Sequence, residues 1–203
     1  MGVISNSIDA NEYRSNASKR DYRVELAIPC DALMVAFVGR LIPEKGIKSL
    51  VEASRSDELQ SRGIVFVLAG DGPLAKDVED ATSQNFHWLG RCSVEDTSAL
   101  LQQADVLCLP SRSEGFSTVL LEASSCGTPS VVTDVGGARE LIPDEEHGII
   151  INSMKTRDVI NALCRLNDDR ELLGLQVASC KALVEERYSW DATASLLETA
   201  ILN

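Results

Sequence analysis

The stretch Val106-Leu107-Cys108-Leu109-Pro110-Ser111-Arg112-Ser113-Glu114-Gly115-Phe116-Ser117-Thr118-Val119-Leu120-Leu121-Glu122 changes its periodicity in the middle. Consecutive apolar residues come first, the pattern of a short strand covered on both faces. A proline and a polar, glycine-containing loop follow. From Ser117 onward, Val119, Leu120, Ala123 and Cys126 share an apolar helical face, while Thr118, Glu122 and Ser125 share a polar strip. Strand, loop and helix in this order make half of a βαβ unit, and the rest of the chain repeats it.

Strands are expected at Leu33 to Val38, Ile64 to Ala69, Phe86 to Leu89, Val106 to Leu109, Ser130 to Thr133 and Gly148 to Ile151. Helices are expected near 46–56, 74–83, 94–103, 117–126 and 138–142, between the strands. Three more, near 156–167, 169–187 and 190–201, have no strand between them and cap the sheet rather than extend it. The alternation predicts an α/β domain with a parallel sheet of about six strands. Residues 1–32 are polar and weakly periodic, and read as a linker or a crossing segment.

At 203 residues, 44% hydrophobic and 25% charged, the chain has the size and composition of one globular domain. A formal net charge of -12 opposes nucleic acid and anionic membrane surfaces, so a phosphate ligand needs a local basic spot. The cysteines at 30, 92, 108, 126, 164 and 180 form no CxxC pair, and the histidines are His87 and His147 alone. That excludes a usual structural zinc site and fits reduced, small hydrophobes in a cytosolic compartment. A basic-then-apolar leader is lacking, and no apolar run approaches the roughly 18 residues of a bilayer span, so a cytoplasmic location is expected.

Open parallel sheets bind ligands beyond the carboxyl ends of their strands, so the loops there carry the candidates. Gly39-Arg40-Leu41-Ile42-Pro43-Glu44-Lys45-Gly46 follows the first strand. Arg40 as a planar fork and Lys45 as a point charge suit a diphosphate, and equally suit solvated surface cations with Glu44 as partner. No GxGxxG follows this strand, which argues against an NAD enzyme. Ala69-Gly70-Asp71-Gly72-Pro73 and Leu89-Gly90-Arg91-Cys92-Ser93 read first as turns, and Gly136-Gly137 as a tight turn or a close backbone approach. A helix starting near Ser117 would point free N–H groups and a positive dipole end at the ligand side. Glu114 and Glu122 do not suit phosphate; as carboxylates they suit sugar hydroxyls, or else are plain loop and surface residues.

In order and spacing the set resembles the carboxy-terminal, nucleotide-binding domain of GT-B glycosyltransferases of the retaining family 4. The resemblance rests on Gly39-Arg40 with Lys45-Gly46, Ala69-Gly70-Asp71-Gly72-Pro73, Leu89-Gly90, Ala104-Asp105, Glu114 and Glu122 in a Glu-x7-Glu spacing, Cys126-Gly127-Thr128-Pro129, and Gly136-Gly137 with Glu140. Val3-Ile4-Ser5-Asn6-Ser7-Ile8-Asp9 is similar to the family's interdomain crossover, with serines where Pro and Gly are common, and Arg187-Tyr188-Ser189-Trp190 resembles the start of its last helix.

The resemblance implies a Rossmann-like, three-layer α/β/α domain: residues 1–32 as the crossover, 33–187 as the donor-binding domain, and 188–203 as a helix packing toward an amino-terminal domain. It implies that Arg40 and Lys45 hold a donor diphosphate, with Gly39 beside them, and that the backbone of Phe116, Ser117 and Thr118 receives the distal phosphate. Glu114 would bind the transferred sugar, Glu122 the ribose, and the loop at Arg91-Cys92 the base. The implied catalytic set is Arg40, Lys45 and Glu114, with no metal and no cofactor beyond a UDP- or GDP-sugar as substrate. The implied partner is an acceptor domain, through which the protein would touch a membrane peripherally, and the domain alone is expected to be inactive. A non-catalytic interaction module and a GT-B-like sugar-nucleotide epimerase are the alternatives.

Overall fold

The computed structural model describes residues 6–202; the crossover motif's Val3, Ile4 and Ser5 lie outside the described residues. Six parallel strands form one sheet: β1 (Leu33–Val38), β2 (Ile64–Ala69), β3 (Phe86–Trp88), β4 (Val106–Leu109), β5 (Ser130–Thr133) and β6 (Gly148–Ile151). Their spatial order is β3-β2-β1-β4-β5-β6. β1 pairs with β2 from Leu33↔Ile64 to Val38↔Ala69, and with β4 at Val35↔Val106 and Ala36↔Leu107. From β1 the chain moves outward to β2, and from β4 it moves outward the other way to β5. The carboxyl ends of β1 and β4 therefore flank the switch point at which a crevice opens.

The helices are α1 (Ala10–Ser15), α2 (Tyr22–Glu25), α3 (Ile47–Ser54), α4 (Asp57–Gln60), α5 (Ala75–Glu79), α6 (Val94–Gln103), α7 (Thr118–Cys126), α8 (Ala138–Leu141), α9 (Thr156–Asp168), α10 (Arg170–Arg187) and α11 (Trp190–Leu202). α3, α4 and α9 pack together, and α1, α6, α7 and α10 form a second group. By the right-handed crossover rule, α3 between β1 and β2 and α7 between β4 and β5 belong on opposite faces, because the chain runs outward in opposite directions from β1 and from β4. Every residue of β2 and β4 is buried, as a strand covered on both faces requires. Phe37, Phe66 and Phe86 fill the sheet's core, the last two with ring centroids 6.1 Å apart. No helix among the described residues is long and apolar enough to cross a membrane.

The expected helix at 46–56 ends at Ser54, because Ser56 caps a separate turn by accepting from the Leu59 N–H at 3.2 Å. The span expected to be helical at 74–83 shortens to α5, and Ser83 instead bridges to Phe86 at the start of β3.

Residues 10–15 and 22–25, read from sequence as part of a polar, weakly periodic linker or crossing segment, form helices that cover α6 and α7. Tyr22 is fully buried, its N–H donating to Gln103 Oε1 at 2.7 Å. Asp105 ties this segment to the sheet, with Oδ2 accepting from the Met34 N–H and from Arg23 Nη2, both at 2.7 Å. Asp105→Ala is expected to cost about 2 kcal/mol by orphaning both donors, and Asp105→Asn less, since it keeps an acceptor for Met34. Urea unfolding measures both; equal stability of all three proteins would show the tie to be idle.

Candidate functional site

Five loops meet at the carboxyl edge of the sheet, and the backbone laces them together. The Gly39 N–H donates to Ala69 O at 3.0 Å, Leu41 N–H to Asp71 O at 2.9 Å, and Gly70 N–H to Gly90 O at 2.7 Å. A Cβ on Gly70 would lie 1.8 Å from Gly39 O, and one on Gly72 would lie 2.6 Å from Leu41 O. The Ala69–Pro73 glycines thus admit a neighbouring loop. Gly39, Arg40, Asp71, Arg91, Cys92 and Thr97 line a cavity of about 470 Å³ at this edge. Arg40 and Arg91 are exposed there, and neither has a carboxylate within ion-pair distance among the described residues.

Lys45 ends a short 3-10 turn and reaches across the switch point. Its Nζ donates to Glu114 Oε1 at 2.5 Å, and Ser111 Oγ donates to the same oxygen at 2.6 Å. The side chains are 23% and 13% exposed, so this pair is largely removed from water. Of the two readings open for Lys45, solvation beside Glu44 does not hold. Glu44 contributes its carbonyl, accepting from the Arg112 N–H at 2.7 Å and fastening the β1 loop to the β4 loop.

The β4 loop is pinched from both sides. A Cβ on Gly46 would lie 2.3 Å from Pro110 O, and one on Gly136 would lie 2.0 Å from Gly115 O. Gly137 N–H donates to Gly115 O at 3.2 Å, and the Thr133 hydroxyl donates to Ser111 O. Gly136-Gly137 is therefore a close backbone approach, made to another loop. Phe116 turns its ring onto Tyr188, with centroids 5.8 Å apart, which packs its side chain against the α10–α11 junction. Ser117 begins α7 without a side-chain capping bond. α7 starts at Thr118, just after Phe116 and Ser117, and its positive dipole end lies at this edge.

Glu122 stands one turn along α7, outside the cavity's lining, and accepts from Tyr13 Oη at 3.3 Å. Burial pushes its carboxyl above the usual carboxylate range, and the Tyr13 bond draws it partly back. The structure thus brings Lys45 and Glu114 into contact and sets Gly39, Arg40, Arg91 and Cys92 round one cavity. It holds Glu122 on a separate, stiffer patch. Sequence reasoning missed Tyr13, Ser111 and Thr97, for which no local pattern exists: each acquires its place through a contact distant in the chain or through the face its helix presents.

All six cysteines are free. Burial raises the Cys92 thiol above its ordinary value, Cys126 to about 11, and Cys108 and Cys180 to about 12, which keeps them protonated and unreactive near neutrality.

The model for the family described as glycosyl transferases group 1 matches residues 18–194. An uncharacterized glycosyltransferase of Methanocaldococcus jannaschii is 34% identical over 200 residues, covering 95% of this chain and 51% of that protein. The crystal structure of Anabaena HepE in complex with UDP superposes with a TM-score of 0.81 at 23% identity, covering 100% of this chain and 57% of that one. The C-terminal domain of a glycosyl transferase group 1 family protein from Francisella tularensis superposes at 0.70 with 19% identity, covering 93% of this chain and 97% of that one. The chain spans about half the length of the curated relatives it matches. From the family match and this sheet, the chain belongs to the glycosyl transferases group 1 family and has the fold of the C-terminal domain of a GT-B glycosyltransferase.

Proposed function

We propose that this domain binds a nucleotide-diphospho-sugar, such as a UDP- or GDP-sugar, for retaining transfer of the sugar to a saccharide, lipid or other acceptor. The observation that carries the reading is the meeting of Lys45 and Glu114 across the switch point, beside the uncapped start of α7. A cation for phosphate and a carboxylate for hydroxyls reach one spot from different loops.

In this reading Arg40 and Lys45 face the diphosphate and the amides at 116–118 take the distal phosphate. Glu114 accepts from hydroxyls of the transferred sugar, Glu122 accepts from the ribose, and the Arg91-Cys92 loop lies against the base. When the bond between the anomeric carbon and the distal phosphate oxygen breaks, charge grows on that phosphate. Arg40, Lys45 and the helix end stabilise that charge, and no metal is assigned a part. The UDP held by HepE supports the choice of nucleotide. The acceptor is assigned to the other half of the relatives' length, so this domain alone should bind donor weakly and transfer little.

Calorimetry with UDP, GDP and ADP tests the reading. One of them is expected to bind, and Arg40→Ala, an exposed change that spares the fold, should weaken it about tenfold. Binding of none, or an unchanged affinity in the variant, would overturn it.

A further inference from the structure

We propose that Tyr13 is a positioning residue that fixes the Glu122 carboxylate for a vicinal diol, and so sets how strongly the site prefers a ribonucleotide over its 2′-deoxy counterpart. The inference rests on the reading of Glu122 as the ribose contact and adds a residue from the crossing segment to that function.

α1 is short; none of its residues is fully buried, and Tyr13 packs partly buried against the core. Polar bonds add to that packing. Asp9 caps it by accepting from the Glu12 N–H at 2.8 Å, and Ser98 Oγ on α6 donates to Tyr13 O at 2.8 Å. Gln102 Nε2 donates to Arg14 O at 3.0 Å, and Arg14 Nη1 donates to Ser125 O on α7 at 2.5 Å. The Tyr13 carbonyl is thereby fastened to α6, and its neighbour Arg14 to both α6 and α7. Its hydroxyl crosses a separation of 109 residues to reach Glu122 Oε2.

A carboxylate on a half-buried helix face has lost much of its water and still has rotamers to choose among. One donor on Oε2 selects a single orientation and leaves Oε1 without a partner among the described residues, directed by the same restraint. Two adjacent hydroxyls on one ring need an acceptor held in a fixed plane; a freely turning one would gain less from the second hydroxyl. The phenol is suited to the task. Burial and then the charge of Glu122 push its ionisation far above the ordinary tyrosine value, so it stays a donor.

The test is calorimetric titration of the chain with UDP, GDP and ADP, each beside its 2′-deoxy counterpart, in unmodified, Tyr13→Phe, Glu122→Gln and doubly substituted proteins. The unmodified chain is expected to favour the ribonucleotide about tenfold or more, and Tyr13→Phe to reduce that ratio about fivefold. In the Glu122→Gln background, Tyr13→Phe should change the ratio no further, since Tyr13 acts through the carboxylate. A loss of ribo- and deoxyribonucleotide affinity by the same factor in Tyr13→Phe, or a further drop in the double variant, would mark Tyr13 as merely structural and overturn the proposal alone. Failure of the unmodified chain to bind any of the three would remove the ribose reading, and the proposal with it.

Discussion

Gly136→Val is expected to lower stability by about 3 kcal/mol or more and to weaken nucleotide binding beyond tenfold, although Gly136 is assigned no ligand contact. Its φ of +57° lies in the left-handed region, which a β-branched residue enters only with strain. A Cβ there would also stand 2.0 Å from Gly115 O and 2.6 Å from Glu114 O. Both oxygens are backbone atoms of the loop that carries Glu114 and leads into α7. The loop must retreat by an ångström or more, taking Glu114 from Lys45 and displacing the 116–118 amides. Urea unfolding and calorimetry read the two effects. Gly174→Ala is the control: it lies inside α10, its added Cβ meets nothing within 4 Å, and it should stabilise by about 0.5–1 kcal/mol through helix propensity alone. Equal stability of Gly136→Val and the unmodified chain would show that the two loops do not hold each other.

Lys45 and Glu114 should behave as a unit. Lys45→Met leaves a carboxylate that is only 13% exposed, with Ser111 as its one remaining side-chain donor among the described residues. Glu114→Leu leaves an ammonium that is 23% exposed. Each single change is expected to cost about 2 kcal/mol, and the double variant far less than their sum, a coupling of about 1–3 kcal/mol. On the proposed roles, each single change should also lower the chain's affinity for a UDP- or GDP-sugar about tenfold or more, read by calorimetry. Additive stabilities in the double-mutant cycle would mean that the 2.5 Å contact contributes nothing to the fold. On the proposed roles, a diphosphate that draws Lys45 away frees Glu114 for the sugar's hydroxyls, so nucleoside diphosphate alone should gain less from Lys45 than the complete nucleotide sugar does.

Much of the architecture was legible because strands and helices are written locally. Runs such as Ile64 to Ala69 are apolar throughout because both faces of a parallel strand are covered, and α9 shows its apolar stripe at Val159, Ile160, Leu163 and Leu166. The elements that escaped are those without such a trace. α1 and α2 span one or two turns, too short to show a periodic stripe, and beside the buried Tyr22 polar bonds locate them: Asp9 and Asp21 as caps, Gln103 and Ser98 as anchors. The loops are legible because strand-to-helix junctions in a parallel sheet fall on its carboxyl edge, which puts Gly39, Arg40, Lys45, Arg91, Glu114 and residues 116–118 on that edge.

The sequence by itself determined the α/β class, the parallel sheet, most element boundaries and, through its motif spacing, the family. Each of these depends on residues close together in the chain or on an order of motifs along it. Only the tertiary structure decided which loops touch. Lys45 and Glu114 are 69 residues apart and Tyr13 and Glu122 are 109 apart, and they meet because the sheet's order puts β4 beside β1 and folds α1 over α6 and α7. Whether a glycine admits a ligand or a neighbouring loop was likewise settled in space. Gly46, Gly70 and Gly136 all face backbone oxygens of other loops, a property set by the position of the neighbour and invisible to any local pattern.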